Sequence, residues 1–194
     1  MEKTAFKGST LLNPVPAVLI TSKNKEVINV FTAAWVGTAC TKPPIITVSI
    51  RPERLSYNFI KASGEFTVNL PSKKLVKAVD FCGVKSGRDI DKIKHCNFTL
   101  EAGIVIDVPS IKECPVSLEC KVKQIIPLGS HELFIAEVLQ VSVYNKLIDI
   151  DGKIHFEDAD LICYSHGEYF SVANNPLGKF GYSVKKRTSK GRIK

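Results

Sequence analysis

Short segments rich in β-branched and aromatic residues alternate with Pro, Gly and Asn along this chain. Because the former residues favour strands and the latter favour turns, the spacing predicts an antiparallel β fold. Helical signals are too few for the regular alternation of strands and helices in a doubly wound fold. The chain is therefore predicted to be mainly β with a few short helices, and to form a barrel. The predicted strands are Ala17–Thr21, Val27–Phe31, Ile45–Ile50, Phe66–Leu70, Val116–Ile126 and Leu133–Tyr144.

The two longest strands differ in their patterns of apolar residues. From Val116 to Val122 apolar and polar residues alternate, as in a strand with one face in water. From Leu133 to Tyr144 both faces are largely apolar, so we expect a central strand that is covered on both sides. The cover is core, ligand or a second copy of the chain. A second copy would make the protein a homodimer.

Two short helices are predicted between the strands. We expect the first to begin at Ser56, whose hydroxyl would cap the helix N-terminus, and to end at Gly64. The second begins after Ser72 and presents an apolar face that includes Val79.

Length and charge divide the chain into a body and a tail. With 194 residues the chain is long enough for its own core, and we expect a single domain over residues 1–180. Of the formal net charge of +8, six charges come from residues 181–194, which leaves +2 on the body. We expect this basic tail to be mobile and the body not to bind nucleic acid along its surface.

Cysteine spacing and hydropathy exclude several further classes. No two cysteines have the C-x-x-C spacing, so neither a zinc ribbon nor a thioredoxin motif is indicated and no metal site is expected. The N-terminal pattern is not that of a secretory signal, and no apolar stretch approaches the roughly 18 residues that cross a bilayer. We expect a cytoplasmic protein with reduced thiols and no membrane contact. The cysteines are Cys40, Cys82, Cys96, Cys114, Cys120 and Cys163.

Small and polar residues at the strand ends of the first half are the candidate binding residues. G-x-S-x-G, P-loop and G-x-G-x-x-G motifs are absent from the sequence. Ala33 and Ala34 leave backbone groups open to a flat heteroaromatic ring, although an ordinary strand and turn would have the same sequence. Arg54 beside a helix N-terminus at Ser56 suits an anion such as phosphate. The alternative is an exposed arginine near a capped helix.

The order PVPAVLIT…NVFTAAW…C-x-x-PPIITVSI-x-x-x-R-x-S-x-NFI…GEFTVNLP resembles the flavin reductase-like family of FMN-binding split barrels, and within it the flavoredoxin branch. The similarity runs from about Asn13 to Gly178. It implies a homodimeric, six-stranded antiparallel split β-barrel that holds one FMN per subunit at the dimer interface.

The resemblance also implies roles for individual residues. Arg54 and Ser56 would hold the FMN phosphate, under a closing loop of Lys85, Ser86 and Gly87. His131 would face the nicotinamide or the open side of the flavin as the catalytic residue; without the resemblance it is a plain turn residue. The residues along the isoalloxazine edge would be Thr32, Ala33, Ala34 and Trp35, and those flanking the ring and ribityl chain would be Ser49, Ile50, Asn69 and Leu70.

Of the other histidines, His166 is a second candidate for the substrate side. His95 and His155 have no evident partner in the sequence and are expected at the surface.

The function implied is that of an FMN-binding oxidoreductase. Electrons would pass from NAD(P)H through bound FMN to a free flavin, ferric iron or a redox protein. One alternative is a flavoredoxin-like carrier that shuttles electrons between redox proteins without NAD(P)H turnover. Another is a non-catalytic binding module whose basic tail docks on an acidic partner or on nucleic acid.

Overall fold

The computed structural model describes residues 1–184. Residues 185–194, which include most of the predicted mobile tail, lie outside the described residues. The strands are β1 (Val15–Pro16), β2 (Val18–Asn24), β3 (Val27–Ala33), β4 (Val36–Thr41), β5 (Pro44–Ile50), β6 (Glu65–Leu70), β7 (Leu100–Glu101), β8 (Ser110–Ile111), β9 (Val116–Pro127), β10 (Glu132–Val143), β11 (Ile162–Ser165) and β12 (Glu168–Ser171). The helices are α1 (Leu55–Ser63), α2 (Val76–Val84) and α3 (Lys92–His95), with 3₁₀ turns at Lys73–Leu75, Asn145–Leu147, Phe156–Asp158 and Tyr182–Val184.

The main sheet has the strand order β3-β2-β6-β9-β10-β5-β4, and every neighbouring pair is antiparallel. All six predicted strands are present, as β2, β3, β5, β6, β9 and β10. The sheet stays open between its edge strands β3 and β4, so the mainly β, split-barrel prediction is confirmed. The seventh strand, β4, was not predicted because its residues, VGTACT, are mostly small and polar. Smaller sheets join β1 to β11 and β12, and β7 to β8.

Strand β10 is central, as its apolar pattern predicts, and lies between β9 and β5. In its first half one face is fully covered, since Phe134 and Ala136 are buried, whereas Leu133 and Ile135 on the other face are half-buried. Its second half is less well covered, because Leu139 and Val141 are 41% and 46% exposed. The chain itself therefore covers the two faces of β10 only in part.

Strand β2 is buried on both faces and separates two apolar clusters. Val18 and Ile20 belong to the cluster inside the barrel. Leu19 points the other way, into a cluster that includes Val79 of α2. Burial on both faces fixes the register of the strand and anchors α2 on the outside of the barrel.

Helix α1 ends as predicted but begins differently. Gly64 ends it in the left-handed conformation, with φ of 71°, which glycine adopts without steric cost. The prediction that Ser56 caps the helix is wrong: Arg54 is the N-cap residue, and Ser56 lies inside the first turn. The buried Ser56 hydroxyl instead accepts hydrogen bonds from Ser22 Oγ at 2.7 Å and Asn29 Nδ2 at 2.8 Å.

The second predicted helix is present as a 3₁₀ turn that follows Ser72 and leads into α2, and Val79 is buried as expected. Within residues 1–184, none of the helices has the length and apolar character that crossing a membrane requires.

Candidate functional site

Two adjoining cavities form one elongated cleft beside strand β3. Their volumes are about 480 and about 370 Å³, in the range of small-molecule sites. They share the lining residues Phe31, Arg51, Arg54 and Val84, so a ligand could extend from one into the other.

The larger cavity, the aromatic end of the cleft, collects most of the residues predicted to meet a ring. Trp35 is 46% exposed there, and its ring centroid lies 4.6 Å from that of His131. The backbone N–H of Ser49 donates to the carbonyl of Trp35 at 3.0 Å and holds the loop against β5. The predicted residues that line this end are Thr32, Ala33, Ala34, Trp35, Ser49, Ile50 and His131.

Helix α2 packs closely against the same loop. The Thr32 hydroxyl donates to the carbonyl of Val79. A Cβ on Gly83 would lie 3.4 Å from Thr32 Cβ, which is ordinary contact. The last turn of α2 therefore forms one wall of the cleft.

Two tyrosines that sequence reasoning missed also line the aromatic end. Tyr164 on β11 and Tyr169 on β12 meet edge to face, with centroids 5.5 Å apart. The Tyr169 hydroxyl donates to Asp80 Oδ1 at 3.3 Å, and burial, followed by the nearby Asp80 carboxylate, raises the Tyr169 pKa to about 12. No local motif could indicate these tyrosines, because they are far along the chain from the other cleft residues. The β1-β11-β12 sheet brings them to the cleft.

His131 lies at the aromatic end in surroundings that favour the neutral imidazole. Partial burial, followed by the positive charge of Arg51, lowers the pKa of His131 below its ordinary value. Its Nδ1 is 2.9 Å from the hydroxyl of Ser130. A neutral imidazole whose Nδ1 is already hydrogen-bonded is suited to contact and orient a ligand.

The other histidines lie elsewhere. His166 is exposed and outside the cleft lining, although the neighbouring Gly167 lines it. His95 is exposed, as expected, and His155 is half-buried, but both have partners that the sequence did not indicate. His95 stacks on Phe81 with centroids 3.9 Å apart. His155 lies between two carboxylates, those of Asp149 and Glu157, at 2.8 and 2.9 Å.

The smaller cavity, the cationic end of the cleft, has a strongly positive lining. Arg54 Nη1 donates to the carbonyl of Gly83 at 2.9 Å, and the N-terminus of α1 begins at the next residue. The lining contains four cationic side chains and one carboxylate. The partial positive charge of the helix N-terminus adds to this excess of positive charge. The charged lining residues are Arg51, Arg54, Lys85, Lys92 and Glu53.

Lys92 is a buried cation that sequence reasoning missed. It is only 3% exposed, and its Nζ donates to the carbonyls of Cys82 and Lys85, both at 3.2 Å. Burial lowers the pKa of Lys92 to about 8. The one sequence signal was Asp91, whose carboxylate accepts from Lys94 N as the cap of α3 and thereby places Lys92 in the first turn.

The predicted closing loop does border the cationic end, where Lys85, Ser86 and Gly87 line the cavity. Gly87 packs directly on Asn29, since a Cβ at this position would lie 2.1 Å from Asn29 Oδ1. Glycine is required here for close approach of the loop.

Three predicted contacts are absent from the cleft lining: Ser56, Asn69 and Leu70. Asn69 is fully buried, and its Oδ1 accepts from Ile111 N and Ser117 Oγ, both at 2.9 Å. Leu70 packs against the cluster inside the barrel. Asn29, which sequence reasoning did not assign, lines the cationic end and donates to the buried Ser56 hydroxyl.

Comparison with known proteins identifies the family. The sequence profile of the flavin reductase like domain matches residues 11–171. The chain belongs to the flavin reductase-like family. An uncharacterized protein of Archaeoglobus fulgidus is 38% identical over 131 residues, covering 68% of this chain and 73% of that protein.

Two solved structures of this family resemble the chain over almost its whole length. Flavoredoxin of Desulfovibrio vulgaris (Miyazaki F) is 30% identical, with a TM-score of 0.88, and the match covers 95% of this chain and 100% of flavoredoxin. Flavoredoxin from Methanosarcina acetivorans is 26% identical, with a TM-score of 0.85 and the same coverage of both chains. The family and the split-barrel fold that the sequence predicted are thus confirmed.

Proposed function

We propose that the protein binds one FMN per chain in the cleft and acts as an oxidoreductase that takes electrons from NAD(P)H. The observation that carries the proposal is the asymmetry of the cleft. One end offers aromatic rings and small residues, and the other offers four cations, of which Lys92 is buried and Arg54 is half-buried. A flavin mononucleotide has the same asymmetry, with a flat ring at one end and one phosphate at the other.

The donors at the cationic end suit a single phosphate. The Arg54 guanidinium, the Lys92 ammonium and the N-terminus of α1 meet at one cavity. Charge-assisted hydrogen bonds to phosphate are about twice as strong as neutral ones. A pyrophosphate would call for a glycine-rich loop of the G-x-G-x-x-G type, which the sequence lacks. This favours FMN over FAD.

The residues at the aromatic end suit the ring. Ala33 and Ala34 line this end with small side chains, so a planar ring could approach their backbone groups closely. Bound FMN would supply the hydride and electron chemistry, so the protein needs only to bind, orient and tune it. The cleft accordingly requires no nucleophile or acid–base pair from the chain.

His131 and Trp35 are the residues proposed to orient the nicotinamide. They are in contact at the partly exposed aromatic end of the cleft. A neutral His131 presents a flat ring that does not repel the positive charge developing on the nicotinamide as the hydride leaves. Hydride transfer depends on near-attack geometry, so their role is position rather than proton transfer.

The proposed assembly is a homodimer. Leu139 and Val141 expose apolar surface on the central strand β10, and Leu128, just beyond the end of β9, is 58% exposed. Apolar exposure on a central strand suits a subunit interface. A second copy would cover the face of β10 that the chain leaves open.

A second candidate function is that of a flavoredoxin-like carrier, which would exchange electrons with redox proteins and not with NAD(P)H. It is favoured by the similarity to two flavoredoxins over 95% of the chain. A binding module without turnover is the third, and a colourless protein that FMN cannot reconstitute would support it.

Anaerobic stopped-flow mixing tests the first candidate. The FMN-loaded protein is mixed with NADH or NADPH, and the flavin absorbance is followed. We expect rapid bleaching with at least one nucleotide. If neither bleaches the flavin while a reduced redox protein does, the reductase proposal fails and the carrier replaces it.

A further inference from the structure

Cys82 and Cys96 form a pair of thiols outside the cleft lining. Their Sγ atoms are 3.9 Å apart, with Cys82 in the last turn of α2 and Cys96 directly after α3. The preceding residues, Phe81 and His95, stack nearly parallel at 9°. Two successive positions of each segment are therefore aligned side by side, and the sulfurs are in contact without any rearrangement of the backbone.

The two thiols differ in accessibility. Cys82 is fully buried, whereas Cys96 is partly exposed and lines a surface cavity of about 310 Å³ together with Phe81 and His95. A small oxidant can reach Cys96 through this cavity, and Cys82 is the thiol next to it. This is the arrangement of an attacked and a resolving cysteine.

We propose that Cys82 and Cys96 are a redox pair that closes to a reversible disulfide when hydrogen peroxide oxidises Cys96. Peroxide transfers one oxygen to the Cys96 sulfur, giving a sulfenic acid and one water. The Cys82 sulfur then attacks the Cys96 sulfur, the S–O bond breaks, and a second water leaves. The two thiols lose two electrons and two protons, and one peroxide is reduced to two waters.

The pair is connected to the cationic end of the cleft through Lys92. Lys92 begins α3, four residues before Cys96, and its Nζ donates to the carbonyl of Cys82 itself. Gly83, the next residue, accepts from Arg54. A disulfide would fix the end of α2 to α3 and hold both cations in place. Resting on the proposed function, this predicts tighter FMN binding by the oxidised protein, because pre-organised groups lose less freedom on binding.

The reaction conditions follow from the environment of the thiols. Burial raises the pKa of Cys82 to about 12 and also raises that of Cys96. The thiolate is the reactive form, so the reaction is slow at neutral pH and long exposure to peroxide is needed. Competing oxidation is removed by using a Cys40→Ser, Cys163→Ser background, since these are the other cysteines that are not buried.

Peptide mapping tests the pair itself. The background protein is treated with hydrogen peroxide, alkylated and digested, before and after dithiothreitol. We expect one disulfide-linked peptide joining Cys82 to Cys96, reversed by the reductant, and none in the Cys96→Ser variant. Oxidation of Cys96 to sulfinic acid with Cys82 still free would overturn the proposal, as would a linkage to another cysteine. Cys96→Ser is chosen because this site is partly exposed and tolerates the change better than Cys82.

FMN titration tests the connection to the cleft. We expect a several-fold lower Kd for the oxidised protein than for the reduced protein, and equal values in Cys96→Ser with and without peroxide. A crosslink that leaves the Kd unchanged or raises it would overturn the connection. A protein that forms the crosslink but binds no FMN in either state would refute the proposed function while leaving the redox pair intact.

Discussion

Replacing Arg54 by alanine should weaken FMN binding through the phosphate alone. Arg54 lies where the two cavities of the cleft meet, at the N-cap of α1, and uses one N–H group on the carbonyl of Gly83. Charge-assisted hydrogen bonds contribute about 1.5–3 kcal/mol. Arg54→Ala should therefore raise the Kd for FMN by roughly 10- to 150-fold. Lys92 remains at the same cavity, so binding should be weakened and not abolished.

Fluorescence titration with two ligands isolates this effect. Riboflavin has the ring and ribityl chain of FMN without the phosphate, so its Kd should be the same in wild type and Arg54→Ala. Arg88→Ala is the matched control, because this exposed arginine donates to the carbonyl of Glu53 beside the cleft without lining it. The control should keep wild-type affinity for both ligands.

Two results would exclude a phosphate contact for Arg54. An unchanged Kd for FMN in Arg54→Ala would show that the phosphate does not lie at the cationic end. Equal losses of FMN and riboflavin affinity would show that Arg54 acts on the cleft through its contact with Gly83 and not on the phosphate.

Three further predictions concern the closing loop, the nicotinamide side and pH. Gly87→Ala places a Cβ 2.1 Å from Asn29 Oδ1, so either the loop or the buried Asn29 amide must shift, at a cost of about 1–3 kcal/mol in the free energy of unfolding, and FMN affinity should fall. His131→Ala should slow reduction by NAD(P)H on the order of 100-fold without changing the spectrum of bound flavin, because orientation is lost. The pKa of His155 is raised by its hydrogen bonds, first that with Asp149, so its stabilisation is present at low pH and is lost as the pH rises through the raised pKa. Because the pKa of Asp149 is lowered by the same bond, the difference in unfolding free energy between wild type and His155→Gln should be largest at roughly pH 5–6.

The Gly87 and His131 variants each have a matched control. Gly37→Ala adds a Cβ with its nearest neighbour at 4.0 Å, and equal FMN affinities for it and Gly87→Ala would contradict the loop argument. His155→Gln also removes an imidazole, but one outside the cleft lining, so this variant should be reduced like wild type; a wild-type rate in His131→Ala would make His131 a turn residue only. A stability difference for His155→Gln that does not vary with pH would rule out a charged interaction, as denaturant titrations at several pH values would show.

The strands were predictable because their signals are local. Alternation and continuous apolar runs identify β9 and β10 at once, and the αL preference of glycine places the end of α1 at Gly64. Strand β4 has no such signal, since small and polar residues occupy an edge strand that packs little of its surface. Its place is set by pairing with β5, which is a tertiary contact.

The residues that line the candidate cleft could be predicted where they are neighbours in one loop. They could not be predicted where the answer depends on which face of a strand a side chain occupies. The alternation of residues along a strand predicts that Thr67 and Asn69 lie on the same face. It does not predict that Val108 and Ile111 lie over that face and form backbone hydrogen bonds with these two side chains. Lys92 shows the same limit, because a lysine in a charged run becomes a buried cation only through its contacts with the end of α2.

The most direct test of the proposed FMN site is titration of the purified chain with FMN and with FAD, followed by flavin fluorescence. We expect one FMN bound per chain and markedly weaker binding of FAD, since the cationic end offers a single phosphate site formed by Arg54, Lys92 and the N-terminus of α1. Equal or tighter binding of FAD, or no binding of either flavin, would contradict it.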